Sequence, residues 1–231
     1  MGLKQAVLTA LIALAAGFSG AGLWSIAGLG NGQTREYLVE NPDILPEMAE
    51  AWQRQEAQAK LADVSGDIEA PFPGAVLGNP DGSKVLVEFT DYNCTYCRAS
   101  LPHVQQLIAA DPELKVVVRE WPIFEGSEYP ARMALAAAKQ DKFAAFHQAL
   151  FELGSASEAG VEEAARRAGL DLERARKDAA SGEVTTELAR NRQAAQTIGF
   201  TGTPSWIAGG QAIEGAVGPE RLAQALDGDA S

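Results

Sequence analysis

Cys94 and Cys97 stand three positions apart and are the only cysteines among 231 residues. A Cys-x-x-Cys pair can be half of a zinc site, a small structural bridge, a two-thiolate copper(I) site, or a centre of disulfide exchange. Zinc would need two more ligands, and His103 and His147 are the only histidines. A bridge closing so short a loop adds little chain-entropy stabilisation. Disulfide exchange suits the position of the pair. Lys84–Thr90 reads as a buried strand and Thr95–Ala110 as an amphipathic helix, so Cys94 falls at a helix N-terminus. Unpaired backbone N–H groups there favour a thiolate. Cys97, one turn further in, would resolve the mixed disulfide formed at Cys94.

The elements that must position this pair can be read outward from it. Leu101, Val104, Leu107 and Ile108 share one helix face, and Asp111-Pro112 ends the helix. Residues 115–121 form a second Val-rich strand, and Ala75-Val76-Leu77 a short one. Helical stretches follow at 128–140, 142–153, 158–168 and, in one or two pieces, 172–198, with Gly154 and Gly169 as stops. Residues 205–208 and 211–214 make a hairpin about Gly209-Gly210, and 218–227 a closing helix. Before the α/β body, residues 34–62 read as helix, with Asn41 as a cap and Pro42 in a first turn. Ile44, Leu45, Met48 and Trp52 give that segment a narrow apolar stripe, suited to docking or to self-association.

The first 26 residues carry one charge, Lys4, followed by an apolar run and the small-residue sites Ser19-Gly20-Ala21 and Ser25-Ile26-Ala27. This is the pattern of a secretory signal at residues 1–27, or of an uncleaved anchor; either implies export, to the periplasm. Net charge is −12. No basic stretch is present to neutralise a phosphate backbone, so nucleic acid is not an expected partner.

The run Val87-Glu88-Phe89-Thr90-Asp91-Tyr92-Asn93-Cys94-Thr95-Tyr96-Cys97 resembles the active-site strand and helix of DsbA-like thiol–disulfide oxidoreductases. Pro102 matches the family's kink proline, and Gly199-Phe200-Thr201-Gly202-Thr203-Pro204 its cis-proline loop. The resemblance implies a thioredoxin fold over residues 75–231, with a helical insertion at about 128–198 and an N-terminal helical extension at 34–70. It implies catalysis by Cys94 and Cys97, with no cofactor and no metal. Glu88 becomes a buried carboxylate serving Cys97, and Thr203, cis-Pro204 and Tyr96 become a substrate-binding edge. Tyr92, Trp121 and Trp206 are candidates for an apolar rim or for core. His147 reads as structural and His103 as a surface residue. Unfolded or misoxidised exported proteins and a membrane redox partner are the implied partners.

Thr95-Tyr96 departs from the Pro-His that strong oxidases of the family carry between their cysteines. Tyr in that place, and Thr before the proline, are similar to isomerase-like members. Tyr37-Leu38-Val39-Glu40-Asn41-Pro42 resembles the extension of suppressor-of-copper-sensitivity C-type proteins, some of which oligomerise through it. Three readings stand: an isomerase or reductase, monomeric or oligomeric; a monomeric oxidase; and a copper(I)-binding periplasmic module using the same thiolates.

Overall fold

The computed structural model describes residues 2, 5 and 31–228. The expected leader at 1–27 lies, but for two positions, outside the described residues. The chain divides into two compact units, 1–53 and 54–231. Among the described residues no helix is long and apolar enough to cross a membrane.

In the first unit α1 (Asn31–Glu40) is followed by a 3₁₀ turn (Pro42–Ile44) and the start of α2 (Leu45–Ile68). Pro42 opens the turn, as its fixed φ and missing N–H favour. Asn41 is not a side-chain cap for it. Its amide instead donates to the Tyr37 carbonyl at 2.8 Å, closing the helix before it. Tyr37, Val39, Leu45, Met48 and Trp52 are all exposed.

The second unit begins within α2, which runs six residues past the expected stop at Ala62. Leu61 and Ile68 are buried with Val87, Phe89, Val117 and Ile207, so apolar burial carries the helix onward. The body contains β1 (Val76–Gly78), β2 (Lys84–Thr90), α3 (Thr95–Ala110) and β3 (Leu114–Glu120). A helical block follows: α4 (Glu128–Ala138), α5 (Phe143–Leu153), α6 (Glu158–Arg167), α7 (Leu172–Ala179) and α8 (Gly182–Ile198). Then come β4 (Ser205–Ala208), β5 (Gln211–Glu214) and α9 (Pro219–Leu226). The expected stretch 172–198 is two helices, because Ser181 caps a new one by accepting from Val184 N.

The five strands lie in the order β1-β3-β2-β4-β5. β2 and β3 are parallel, and the other pairs are antiparallel. This mixed sheet with helices on both faces is the thioredoxin-like α/β fold. Strand alternation sorts the side chains of β2. Val87 and Phe89 enter one core cluster with Ile198 and Phe200; Leu86 enters the other with Val104, Leu107 and both cysteines. By the same alternation Glu88 and Thr90 share the face of the cysteines. The β4–β5 turn needs Gly209 and Gly210, both at positive φ (53° and 72°). A Cβ on Gly209 would also collide with the Ala225 carbonyl.

Candidate active site

Cys94 is the N-cap of α3, and its backbone is extended (φ −80°, ψ 116°). Its Sγ accepts from the Cys97 N–H at 3.4 Å, so the sulfur takes the place a Ser or Asp oxygen usually fills. As a thiol it donates to the Thr203 carbonyl at 3.2 Å. Both cysteines are free thiols. The Cys97 thiol and the first N–H groups of α3 favour negative sulfur, and they outweigh burial and hold the Cys94 thiol down at about 5. Burial, the Cys94 sulfur and the Glu88 charge push Cys97 the other way, well above the usual thiol range. The two thiols therefore differ as a nucleophile and a resolving group must. Cys94 is only 2% exposed, with its sulfur against the Thr203 carbonyl.

That loop is fixed from three sides. The Thr203–Pro204 peptide bond is cis. The Pro204 carbonyl accepts from Gly215 N at 2.8 Å, and Ser205 Oγ donates to the Gly202 carbonyl at 2.7 Å. Trp206 Nε1 donates to the Gly215 carbonyl at 2.9 Å from a fully buried ring. Tyr96, in contrast, is 66% exposed beside Cys94.

Glu88 is buried at the centre of the sheet, opposite Val118 of β3 and Trp206 of β4. Desolvation pushes its carboxyl up to about 8. A carboxyl near that value can exchange a proton with its surroundings at neutral pH. Thr90, on the same face, has a buried hydroxyl with no partner.

Asp91 drew no attention in the sequence, yet it organises the site. One carboxylate oxygen accepts from Asn93 N (2.8 Å) and Ser127 Oγ (2.6 Å). The other accepts from Ile123 N (2.8 Å) and Phe124 N (3.2 Å). The turn into Cys94 is thereby tied to the loop after β3. Ile123 and Phe124 are exposed there, as Tyr96 is, and these three are the exposed candidates for an apolar rim. Tyr92, Trp121 and Trp206 are buried core and contribute nothing to it. The Asp-x-Asn spacing of an Asx turn was the available signal for Asp91. The Ile123 and Phe124 contacts had none, since they reach across 32 and 33 positions.

Two further buried polar groups flank the site. Arg119 donates to Glu187 (2.7 Å), Asn191 (3.2 Å) and the carbonyls of Ile68 and Ala70, joining β3, α8 and the end of α2. Glu120, on the other face, contacts the Tyr92 hydroxyl, which also contacts His147 of α5. His103 is half-buried, its Nδ1 3.3 Å from the Val217 carbonyl, and stays outside the site. Among the described residues no group of three or more His, Cys, Asp or Glu is arranged to hold a metal.

A mixed sheet carrying a Cys-x-x-Cys at a helix N-cap, faced by a proline loop, defines a thioredoxin-fold oxidoreductase. The family model for the DSBA-like thioredoxin domain matches residues 85–227, well over half of the chain, and the chain belongs to that family. A second model, the copper resistance protein ScsC N-terminal domain, matches residues 34–59. A thioredoxin-like oxidoreductase from Silicibacter pomeroyi DSS-3 is 46% identical, covering 66% of this chain and 89% of that one, with TM-score 0.63. A linker-deleted mutant of Proteus mirabilis ScsC is 26% identical, covering 86% and 92%, with TM-score 0.70. A periplasmic thioredoxin-like protein from Salmonella enterica serovar Typhimurium is 25% identical, covering 72% and 95%, with TM-score 0.60. Among curated relatives, Na(+)/H(+) antiporter NhaA 3 of Salinispora tropica is 28% identical over 179 residues, 74% of this chain. The chain spans only 28% of that antiporter's length.

Proposed function

We propose that this chain exchanges disulfides with exported proteins. The observation that carries the reading is the opposed tuning of two adjacent thiols, Cys94 held down to about 5 and Cys97 pushed up. In oxidation the Cys94–Cys97 disulfide is attacked by a substrate thiolate. A substrate–Cys94 disulfide forms and the Cys94–Cys97 bond breaks, leaving Cys97 as a thiolate that takes up a proton. In reduction and reshuffling the Cys94 thiolate attacks a substrate disulfide. Cys97 then gives its proton to Glu88, attacks Cys94 Sγ and expels the substrate thiolate. The half-buried backbone at Thr203 pairs with an extended substrate, and Tyr96, Ile123 and Phe124 receive its apolar side chains.

The Thr95-Tyr96 dipeptide supplies no histidine to the thiolate, which favours reshuffling or reduction over strong oxidation. A membrane protein that resets the disulfide, and self-association through exposed Tyr37, Leu45, Met48 and Trp52, complete the reading. A Cys97→Ser variant is expected to accumulate mixed disulfides with exported proteins. If Cys97→Ser accumulates none and Cys94→Ser behaves alike, exchange is not its chemistry. Copper(I) between the same sulfurs is the second reading, favoured by the ScsC N-terminal match, although that match, at 34–59, does not include the two cysteines. Copper retained stoichiometrically through gel filtration, and lost in Cys94→Ser, would support it.

A further inference from the structure

Behind the cysteines, an otherwise apolar core holds a short line of polar side chains. Glu88 and Thr90 of β2 and Glu120 of β3 share one sheet face, and Thr90 stands directly opposite Glu120. Glu120 Oε1 lies 2.9 Å from the Tyr92 hydroxyl, and that hydroxyl lies 2.9 Å from His147 Nδ1. Every member is at most 3% exposed. Glu120 Oε2 and His147 Nε2 have no hydrogen-bond partner.

Counting hydrogens restricts what this line can be. Tyr92 has one hydrogen and touches two acceptor-capable atoms. If it donates to Glu120, His147 Nδ1–H donates to Tyr92, and Glu120 is a buried anion with one bond on one oxygen. If Glu120 is a carboxylic acid with its proton on Oε1, that O–H donates to the Tyr92 oxygen and Tyr92 donates to His147 Nδ1; a proton on Oε2, with Tyr92 donating to Oε1, would be a buried donor without an acceptor. The first two arrangements leave the same two atoms unpaired. They differ in whether an unpaired oxygen is charged, and burying an uncompensated charge costs far more than burying a neutral carbonyl. The charged groups around Glu120 point the same way. Glu88 from β2 and Asp91 from the turn both repel a charge there, and Tyr92, His147 of α5 and Asn191 of α8 bring no positive charge. Arg119, the nearest buried cation in sequence, lies on the opposite face with Glu187.

We propose that His147 is a positioning residue: by accepting the Tyr92 hydrogen it holds Glu120 as a neutral acid, so that Glu88 is the carboxyl of this pair that ionises beside Cys97. Two like carboxyls on one buried face cannot both ionise readily, and the first proton lost belongs to whichever anion is better solvated. The Tyr92–His147 bond removes the one hydroxyl in hydrogen-bond contact with the Glu120 carboxyl. Both carboxyl environments thus have a role: one carboxyl keeps its proton, and the other exchanges it. This rests on the proposed use of Glu88 by Cys97, but its test reads protons rather than turnover.

The experiment is infrared difference spectroscopy of the intact dithiol protein at neutral pH, wild type against Glu120→Gln. Loss of a protonated-carboxyl band is expected; loss of carboxylate bands instead would overturn the assignment. Should Glu120→Gln not fold, Tyr92→Phe must shift the same band, and an unshifted band overturns it equally. The coupling is read from the Glu88 titration by carboxyl-carbon NMR. His147→Phe frees Tyr92 to stabilise a Glu120 anion, and Glu88 becomes an acid about threefold weaker or more. Glu120→Gln alone leaves the Glu88 midpoint in place, and Glu120→Gln with His147→Phe restores it. A His147→Phe shift that survives in the double variant makes His147 merely structural. Mixed-disulfide trapping with Cys97→Ser stays positive in every one of these outcomes, which separates this inference from the exchange reading.

Discussion

Replacing Glu88 by Gln is expected to stabilise the dithiol protein at neutral pH and not at pH 4.5. Glu88 is 2% exposed, and burial raises its carboxyl from 4.5 to about 8. A raised folded value means that the folded state holds the proton more tightly than the unfolded chain. No penalty exists below the unfolded value. Between 4.5 and 8 the unfolded chain sheds its proton first, and folding loses stability as pH rises. From 4.5 to pH 7 is two and a half units, at 1.36 kcal/mol each, or about 3 kcal/mol. Above pH 8 the penalty levels off at about 5 kcal/mol. Gln at this site cannot titrate and carries only a constant cost for its amide. The assay is urea unfolding of both proteins under a non-thiol reductant at pH 4.5, 7 and 8.5. The other titrating groups are common to both proteins, so they cancel in the difference. The difference should move toward the Gln variant by about 3 kcal/mol between pH 4.5 and 7. A difference that stays constant, or moves toward wild type, would mean that Glu88 is ionised and paired in the folded protein. The reasoning from burial would then be refuted.

Asp91→Ala removes the acceptor of four hydrogen bonds and should cost about 2–4 kcal/mol in chemical unfolding, with faster proteolysis of the loop containing Ile123 and Phe124. Arg119→Ala leaves Glu187 buried with only the exposed Arg190, 3.5 Å away, as its cation, and a loss of about 3 kcal/mol should appear in the same measurement. Tyr96→Ala should change stability by no more than about 0.5 kcal/mol, since the ring is exposed, while raising KM for an unfolded protein substrate with kcat unchanged.

The parts of this molecule that were legible in the sequence are those whose cause is local. Cys94 and Cys97 lie within one helical turn, and the strand before them and the helix after them show their periods directly. The hairpin at Gly209-Gly210 announces itself through two residues that tolerate positive φ. Asn41 shows where local reading fails: the residue type suits a cap, but its amide turned back to Tyr37. What could not be read depends on partners distant along the chain. Tyr92 meets Glu120 across 28 positions and His147 across 55, and Arg119 meets Glu187 across 68. His147 therefore looked like an ordinary core histidine, and Glu120 like a strand end. Trp121 and Trp206 were ambiguous for the same reason: an aromatic beside an active site is rim or core according to which sheet face it occupies.

The chemistry assigned here rests on a Cys94 thiolate available at neutral pH beside a Cys97 that keeps its proton. Thiolate absorbance, followed against pH in the dithiol protein with Cys94→Ser and Cys97→Ser for comparison, tests this directly. A single low transition near 5 that disappears in Cys94→Ser is expected, with no Cys97 signal until well above the ordinary thiol range. Both thiols titrating together near 9 would contradict it, and the helix-capped sulfur would then be a covered thiol rather than a nucleophile.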